Sequence, residues 1–212
     1  MQINVSLAGI DAVQKKLASL SAAQASGAIS MAINKTTAKA KTEINRAITQ
    51  RYQIARAEVA NSVAINAASK SKPRATITLF GSAKKRGRSL NLIHFTERKV
   101  TLAQGRKRAK DGTQNQLRFN IVRGQGGKMI PGSFVGNKGR TIFERIEGKY
   151  MGNRINVKGN SKHAQAIAPV QVVGIGQMFN FRSIHTRVLA KINKDLATEM
   201  DRAIAQKLRQ AA

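Results

Sequence analysis

Apolar residues fall at two different spacings along this chain, helical near both ends and alternating through the middle. Gln2 to Leu7 alternates, with Ile3, Val5 and Leu7 on one side, which predicts a short strand. A helix opens at Gly9-Ile10-Asp11, where Ile10, Val13, Leu17 and Leu20 recur at helical spacing. Ser21-Ala-Ala-Gln24 has the form of a capping box, so either a second helix begins there or the first continues with a bend. Beyond it Ile29, Ile33, Thr36, Ala40, Ile44 and Ala47 fall within about 80° of one another on a helical wheel and predict a core face. Lys35, Lys39 and Arg46, with Thr42 between them, form a second stripe well away from that face. It reads either as a solvated basic surface or as one shown to a partner.

The middle of the chain reads mainly as strands. A short helix from Gln53 to Asn61 leads to a strand near Val63 to Ala67, a turn at Lys70-Ser-Lys-Pro73, and a strand from Ala75 to Phe80 with Ile77 and Leu79 alternating. Leu90 to Phe95 and Lys99 to Leu102 read as further strands. Leu117, Phe119 and Ile121 alternate on the far side of a basic cluster, which makes that cluster the tip of a β-hairpin. After the turn Arg123-Gly-Gln-Gly-Gly127, Thr141 to Ile146 reads as a strand closed by Glu147-Gly148. Ile167 to Ile175 contains Pro169 and suits an edge strand or a segment leading into the sheet.

From Ser183 the helical period returns. His185, Leu189, Ile192, Leu196, Met200 and Ala203 line one face, with Arg187, Lys191, Lys194, Arg202 and Arg209 largely opposite. No repeat and no long neutral linker interrupts the pattern. The expected fold is a single α+β domain over residues 1–212, a central antiparallel sheet packed by long N-terminal and C-terminal helices, with a basic β-hairpin loop.

Charge adds a partner to this picture. The chain of 212 residues has 38 lysines and arginines against 10 acids, a net charge of +28. The stretch from Ser82 to Gln116 concentrates them as Lys84-Lys85-Arg86-Gly87-Arg88 and Arg106-Lys107-Arg108-Ala109-Lys110. Bases in such glycine-rich, polar segments stay in water and make an electrostatic footprint for nucleic acid. Hydrophobic residues at 42% are enough for a core, while aromatics at 4% leave few rings to stack on unpaired bases, which disfavours single-strand recognition. The absence of cysteine excludes disulfides, thiolate metal sites and cysteine nucleophiles, and suits a reducing compartment. No apolar run reaches the roughly 20 residues of a membrane helix, and the N-terminus lacks the layout of a signal peptide.

Catalytic chemistry finds little support. The ten carboxylates fall mostly on predicted solvent faces of helices, and no set of them converges for a two-metal site. Glu147-Gly-Lys149 resembles an acid-x-Lys nuclease fragment without a partnering Asp on a neighbouring predicted strand, and reads better as a turn. His94, His163 and His185 are far apart in sequence, none sharing helical spacing with another ligand. Gly124-Gln-Gly-Gly-Lys128 departs from a phosphate loop at Val122 and Met129. The expectation is a non-enzyme without cofactor or metal, and with no membrane contact, since the apolar helix faces lack interfacial aromatics and are needed for the core.

Four segments, in order, resemble the minor tail protein Z family of lambda-like tailed bacteriophages. They are Gly27-Ala-Ile-Ser-Met-Ala-Ile-Asn34; the strand, basic loop and strand of Val100 to Val122; Ile130-Pro-Gly-Ser-Phe134; and Gly139-Arg-Thr-Ile-Phe-Glu-Arg-Ile-Glu-Gly-Lys149 followed by a Pro-containing segment and a basic helix. The region from Lys149 to Gln165 is longer and more polar than the family pattern, and the cluster at Lys84 has no clear counterpart there. The resemblance implies a structural virion protein, made in the host cytoplasm, that completes the head-proximal end of a tail. Its implied partners are tail terminator, tail tube or neck proteins and the phage genomic DNA, in a homo-oligomeric, six-fold ring. The candidate nucleic-acid-binding residues are Lys84, Lys85, Arg86, Arg88, Arg106, Lys107, Arg108 and Lys110, with Lys35, Lys39 and Arg46 on the first long helix. The alternative that charge leaves open is a cellular, non-sequence-specific nucleic-acid-binding protein, ribosomal or DNA-compacting.

Overall fold

Ser21 and Gln24 cap the first long helix reciprocally: Gln24 N–H donates to Ser21 Oγ at 3.3 Å and Ser21 N–H to Gln24 Oε1 at 3.1 Å. A new helix therefore starts here, and α1 spans Ala22–Arg51. The computed structural model describes residues 1–5, 20–81, 89–96, 117–151 and 164–211, with the backbone alone at 147–151, 164–165 and 211. The helix expected from Gly9 lies outside the described residues, apart from Leu20.

The chain divides into two compact units, one of Met1–Arg51, Ala55–Arg88 and Val173–Ala212, the other of Tyr52–Ile54 and Ser89–Val172. In the first, β1 (Gln2–Val5), β2 (Val63–Asn66) and β3 (Ala75–Leu79) form an antiparallel sheet in the order β1-β3-β2. Ile3 and Ile65 pair with Ile77 from either side, so alternation places their side chains on one face. α1 and the short helix α2 (Arg56–Asn61) complete this layer, and Ile33, Ile44, Ile48, Val59 and Ile77 have no exposed surface. Each such side chain contributes roughly 1.5–3 kcal/mol through burial.

A short helix α3 (Ile175–Phe179) leads into α4 (Arg182–Ala211). α4 packs mainly along α1 and runs antiparallel to it, rather than lying on the sheet as its amphipathic pattern alone suggested. Small residues permit this close approach: Ala28 and Ala32 of α1 meet Met200, Ala203 and Ile204 of α4 in one buried cluster with Leu20. The inward face of α4 keeps Ile192, Leu196, Met200 and Ala203 as predicted and differs in its first turns. Ile184 and Val188 are buried where His185 and Leu189 are only partly so. Asp195 and Glu199 widen the buried face and pair with Lys191, Lys39 and Arg202 at its edge, a choice that apolar periodicity cannot see.

In the second unit Leu90 to Phe95 is not one strand. β4 covers Ser89–Asn91, and Leu92–Phe95 coils into a 3-10 turn whose cap is Asn91, with its Oδ1 accepting from Ile93 N–H at 3.1 Å. The same Asn91 amide accepts from Ile142 N–H at 2.9 Å and donates to Ile142 O at 3.2 Å and Val170 O at 3.0 Å. One side chain thus satisfies backbone groups from two further segments. These lie in or beside the antiparallel sheet β7 (Phe134–Gly136), β8 (Thr141–Met151) and β9 (Ala164–Pro169). β8 does not close at Glu147-Gly148. It continues to Met151 past a register shift between Arg145 and Tyr150, because β9 supplies a partner beyond it.

Pro169 ends β9, which lies at the edge of that sheet, as the proline requires. β10 (Gln171–Val173) follows and pairs with β4, so Ile175 opens a helix instead of ending a strand. The strand expected around Phe119 is short: β5 (Arg118–Phe119) pairs with β6 (Lys128–Met129). The fold is therefore α+β, with several small antiparallel sheets among the described residues in place of one central sheet.

Candidate nucleic-acid interface

Lys35, Lys39 and Arg46 stand on the solvent side of α1, as their spacing predicts, with exposed Ala38 and Thr42 between them. Lys84, Lys85, Arg86, Arg88, Arg106, Lys107, Arg108 and Lys110 lie outside the described residues. The strand expected at Lys99 to Leu102 does so too. At the two ends of residues 97–116, Thr96 bridges Phe119 in antiparallel fashion and Asn120 N–H donates to Phe95 O at 2.9 Å. The segment carrying the second cluster thus leaves and rejoins the fold at one place, with Phe95 and Phe119 buried beside it.

Periodicity missed a set of ion pairs along the α1–α4 seam. Glu43, Asp195 and Glu199, expected on solvent faces, are buried. Lys39 Nζ lies 2.6 Å from Glu199 Oε1, and Arg202 Nη1 reaches the same oxygen at 2.7 Å. Arg187 Nε lies 2.7 Å from Glu43 Oε1 while its Nη1 donates to Gln50 Oε1 at 2.8 Å. Lys191 Nζ meets Asp195 Oδ1 at 2.8 Å. A carboxylate beneath the surface with a half-exposed cation above it avoids most of the cation's desolvation cost. The signal was present in the spacing of Lys191, Asp195 and Glu199, successive positions four apart on one helix line.

The hydrogen bond from Lys39 holds the Glu199 carboxyl below its ordinary value of 4.5, Arg202 adds to the effect, and burial opposes it. A depressed folded-state value means that the stability contributed is present above the unfolded value and lost as pH falls through the folded one. The gap in melting temperature between wild type and Glu199→Gln should accordingly close as the pH is lowered from 7 past 4.5. A gap of constant size down to pH ~3, where carboxylates titrate, would contradict this assignment.

The segments that carry the family likeness have physical roles. In Met31-Ala32-Ile33-Asn34, Ala32 lies in the seam cluster, Ile33 is core, and Asn34 clasps the backbone of Ala68, donating from Nδ2 to its O at 2.9 Å and accepting its N–H at 2.7 Å. Ile130-Pro-Gly-Ser133 is a tight turn: Ser133 N–H donates to Ile130 O at 3.2 Å, and Gly132 has φ 70° in the position that favours glycine. Ser133 is buried and its Oγ donates to the same carbonyl at 2.8 Å. Phe134 then stacks on Phe143, 6.0 Å between centroids, and a Cβ at Gly136 would come within 2.8 Å of the Phe143 ring.

Among the described residues no group of three or more His, Asp or Glu could hold a metal ion. No described helix is long and apolar enough to cross a membrane. No curated protein and no solved structure matches the chain. The family profile described as Prophage minor tail protein Z (GPZ) matches residues 7–212, which includes both long helices, the Asn34 clasp and the Pro131-Gly132 turn. By that match over nearly its whole length the chain belongs to the prophage minor tail protein Z family, structural proteins of the phage tail rather than enzymes.

Proposed function

We propose that this tail protein completes the head-proximal end of the tail as a subunit of a six-fold ring or collar, where several copies surround the DNA path and touch it without sequence preference. The observation that carries the reading is the family match over residues 7–212 together with a net charge of +28. A closed ring of such subunits repels itself unless DNA, counterions or acidic neighbours lie against the basic surfaces. Assembly therefore depends on those neighbours, the tail terminator, tail tube or neck proteins, and the purified protein stays monomeric or aggregates until they are supplied. The bases of the two loop clusters, with Lys35, Lys39 and Arg46, face the polyanion.

The test is deletion of the gene from a phage that carries it, followed by infectivity assays and microscopy of the particles. Tails defective in completion or joining are expected. Fully infectious virions with normal neck density and no trace of the chain would end the proposal.

A further inference from the structure

The α1–α4 seam brings together two basic stripes that are far apart in sequence. On a wheel of about 100° per residue, Arg187, Lys191, Lys194, Arg202 and Arg209 span about 80° of α4. Their flank adjoins the side of α1 that bears Lys35, Lys39 and Arg46, because Arg187 reaches Glu43 and Gln50 while Lys39 and Arg202 meet on Glu199. Lys35, Arg46, Lys194 and Arg209 are exposed and make no ion pair among the described residues.

We infer that this paired-helix surface is a track for the phosphate backbone of duplex DNA, with α4 as well as α1 supplying the contacts. It rests on the reading that the protein touches DNA, and adds to the loop clusters a second set of contacts that includes α4. From Arg187 to Arg209 the track is about 33 Å long at 1.5 Å per residue. Bases a turn or two apart lie near a Debye length of about 8 Å at physiological salt, so their potentials reinforce one another. The buried carboxylates hold the inner cations in place and leave the outer ones unneutralised.

The residues between the bases decide the class of partner. Ala38, Thr42, Thr198 and Ala205 are exposed and small. Within the stripe a protein partner would find no aromatic or large aliphatic anchor to bury, exposed Leu208 lying about 40° outside it on the wheel, whereas a phosphate backbone binds by charge and needs none. With no ring among these positions for base stacking, the track binds duplex without base preference.

The test is fluorescence titration of the full chain with a duplex over a range of salt, alongside poly-L-glutamate as a protein-like polyanion. The quadruple variant Lys35→Gln, Arg46→Gln, Lys194→Gln and Arg209→Gln removes bases that hold no carboxylate, so its circular dichroism and melting temperature should match wild type. The slope of log affinity against log salt should fall by about 0.9 for each phosphate no longer neutralised, up to ~3.6 in all. Restoring charge with Lys35→Arg and Lys194→Arg beside intact Arg46 and Arg209 should return the wild-type slope. A folded quadruple variant with wild-type slope and affinity overturns the track, and so does one that loses poly-L-glutamate binding but keeps the duplex. If a variant neutralised at Arg106, Lys107, Arg108 and Lys110 loses slope while the track variant does not, DNA contact stands and only the track falls. Wild-type protein that fails to bind duplex at low salt removes both.

Discussion

Replacing Ile33 with Ala should destabilise the protein by about 2–5 kcal/mol, because the side chain fills a core site and the cavity left behind adds to the forfeited transfer energy. Ile33 has no exposed surface and lies on α1, the helix laid over the β1-β3-β2 sheet. In a chain of this size the loss should lower the melting temperature by on the order of 10 °C. Leu196→Ala belongs to the same class, since Leu196 is buried on α4. The sharper comparison is between neighbours on α4. Val188 is fully buried whereas Leu189 is only partly so, and Val188→Ala should therefore cost more than Leu189→Ala although it deletes a smaller group. The reverse order, in thermal or denaturant unfolding, would mean that the first turns of the helix also face inward as its apolar period suggests.

Neutralising Arg106, Lys107, Arg108 and Lys110 to Gln should weaken duplex binding on the order of 10³-fold at 0.1 M salt if affinities converge near 1 M, because each phosphate left without its base takes about 0.9 from the salt slope. The bases are clustered but belong to no recognisable reading helix or finger, so the effect should be the same for unrelated duplex sequences. The pairing of Thr96 with Phe119 returns the chain to its starting point, so a soluble, folded variant is expected: substitution between those anchors removes no described core contact. Titration of wild type and variant on two unrelated duplexes measures both effects. An unchanged slope would leave the contact to the helices alone, and strong discrimination between sequences would contradict backbone recognition altogether.

The buried ion pairs explain how a chain of such charge tolerates two long helices packed side by side. The buried acids Glu43 and Glu199 each take a cation from the opposing helix, and Asp195 takes Lys191 from its own, which offsets repulsion among the bases along the α1–α4 seam. The same economy appears at Asn34 and Asn91, where one amide side chain answers several backbone groups and ties a helix or strand to a distant segment.

The capping box at Ser21, the buried stripe of α1 through Ile33, Ala40 and Ile44, the alternation of β3 and the exclusion of Pro169 from a central strand can all be read from the chain alone. Each follows from a rule that acts within a few residues: a cap, a period or a missing N–H. The basic stripe of α1 was legible for the same reason, and so was the ordered set of segments that marks the family. Other features depend on partners that only folding supplies. The burial of Glu199 depends on Lys39 reaching it from α1, the 3-10 turn at Leu92 depends on Asn91 engaging Ile142 and Val170, and the run of β8 past Gly148 depends on β9 being there to pair. Most of these stabilising partners lie far away along the chain, and a local pattern of hydrophobic and polar positions carries no record of them.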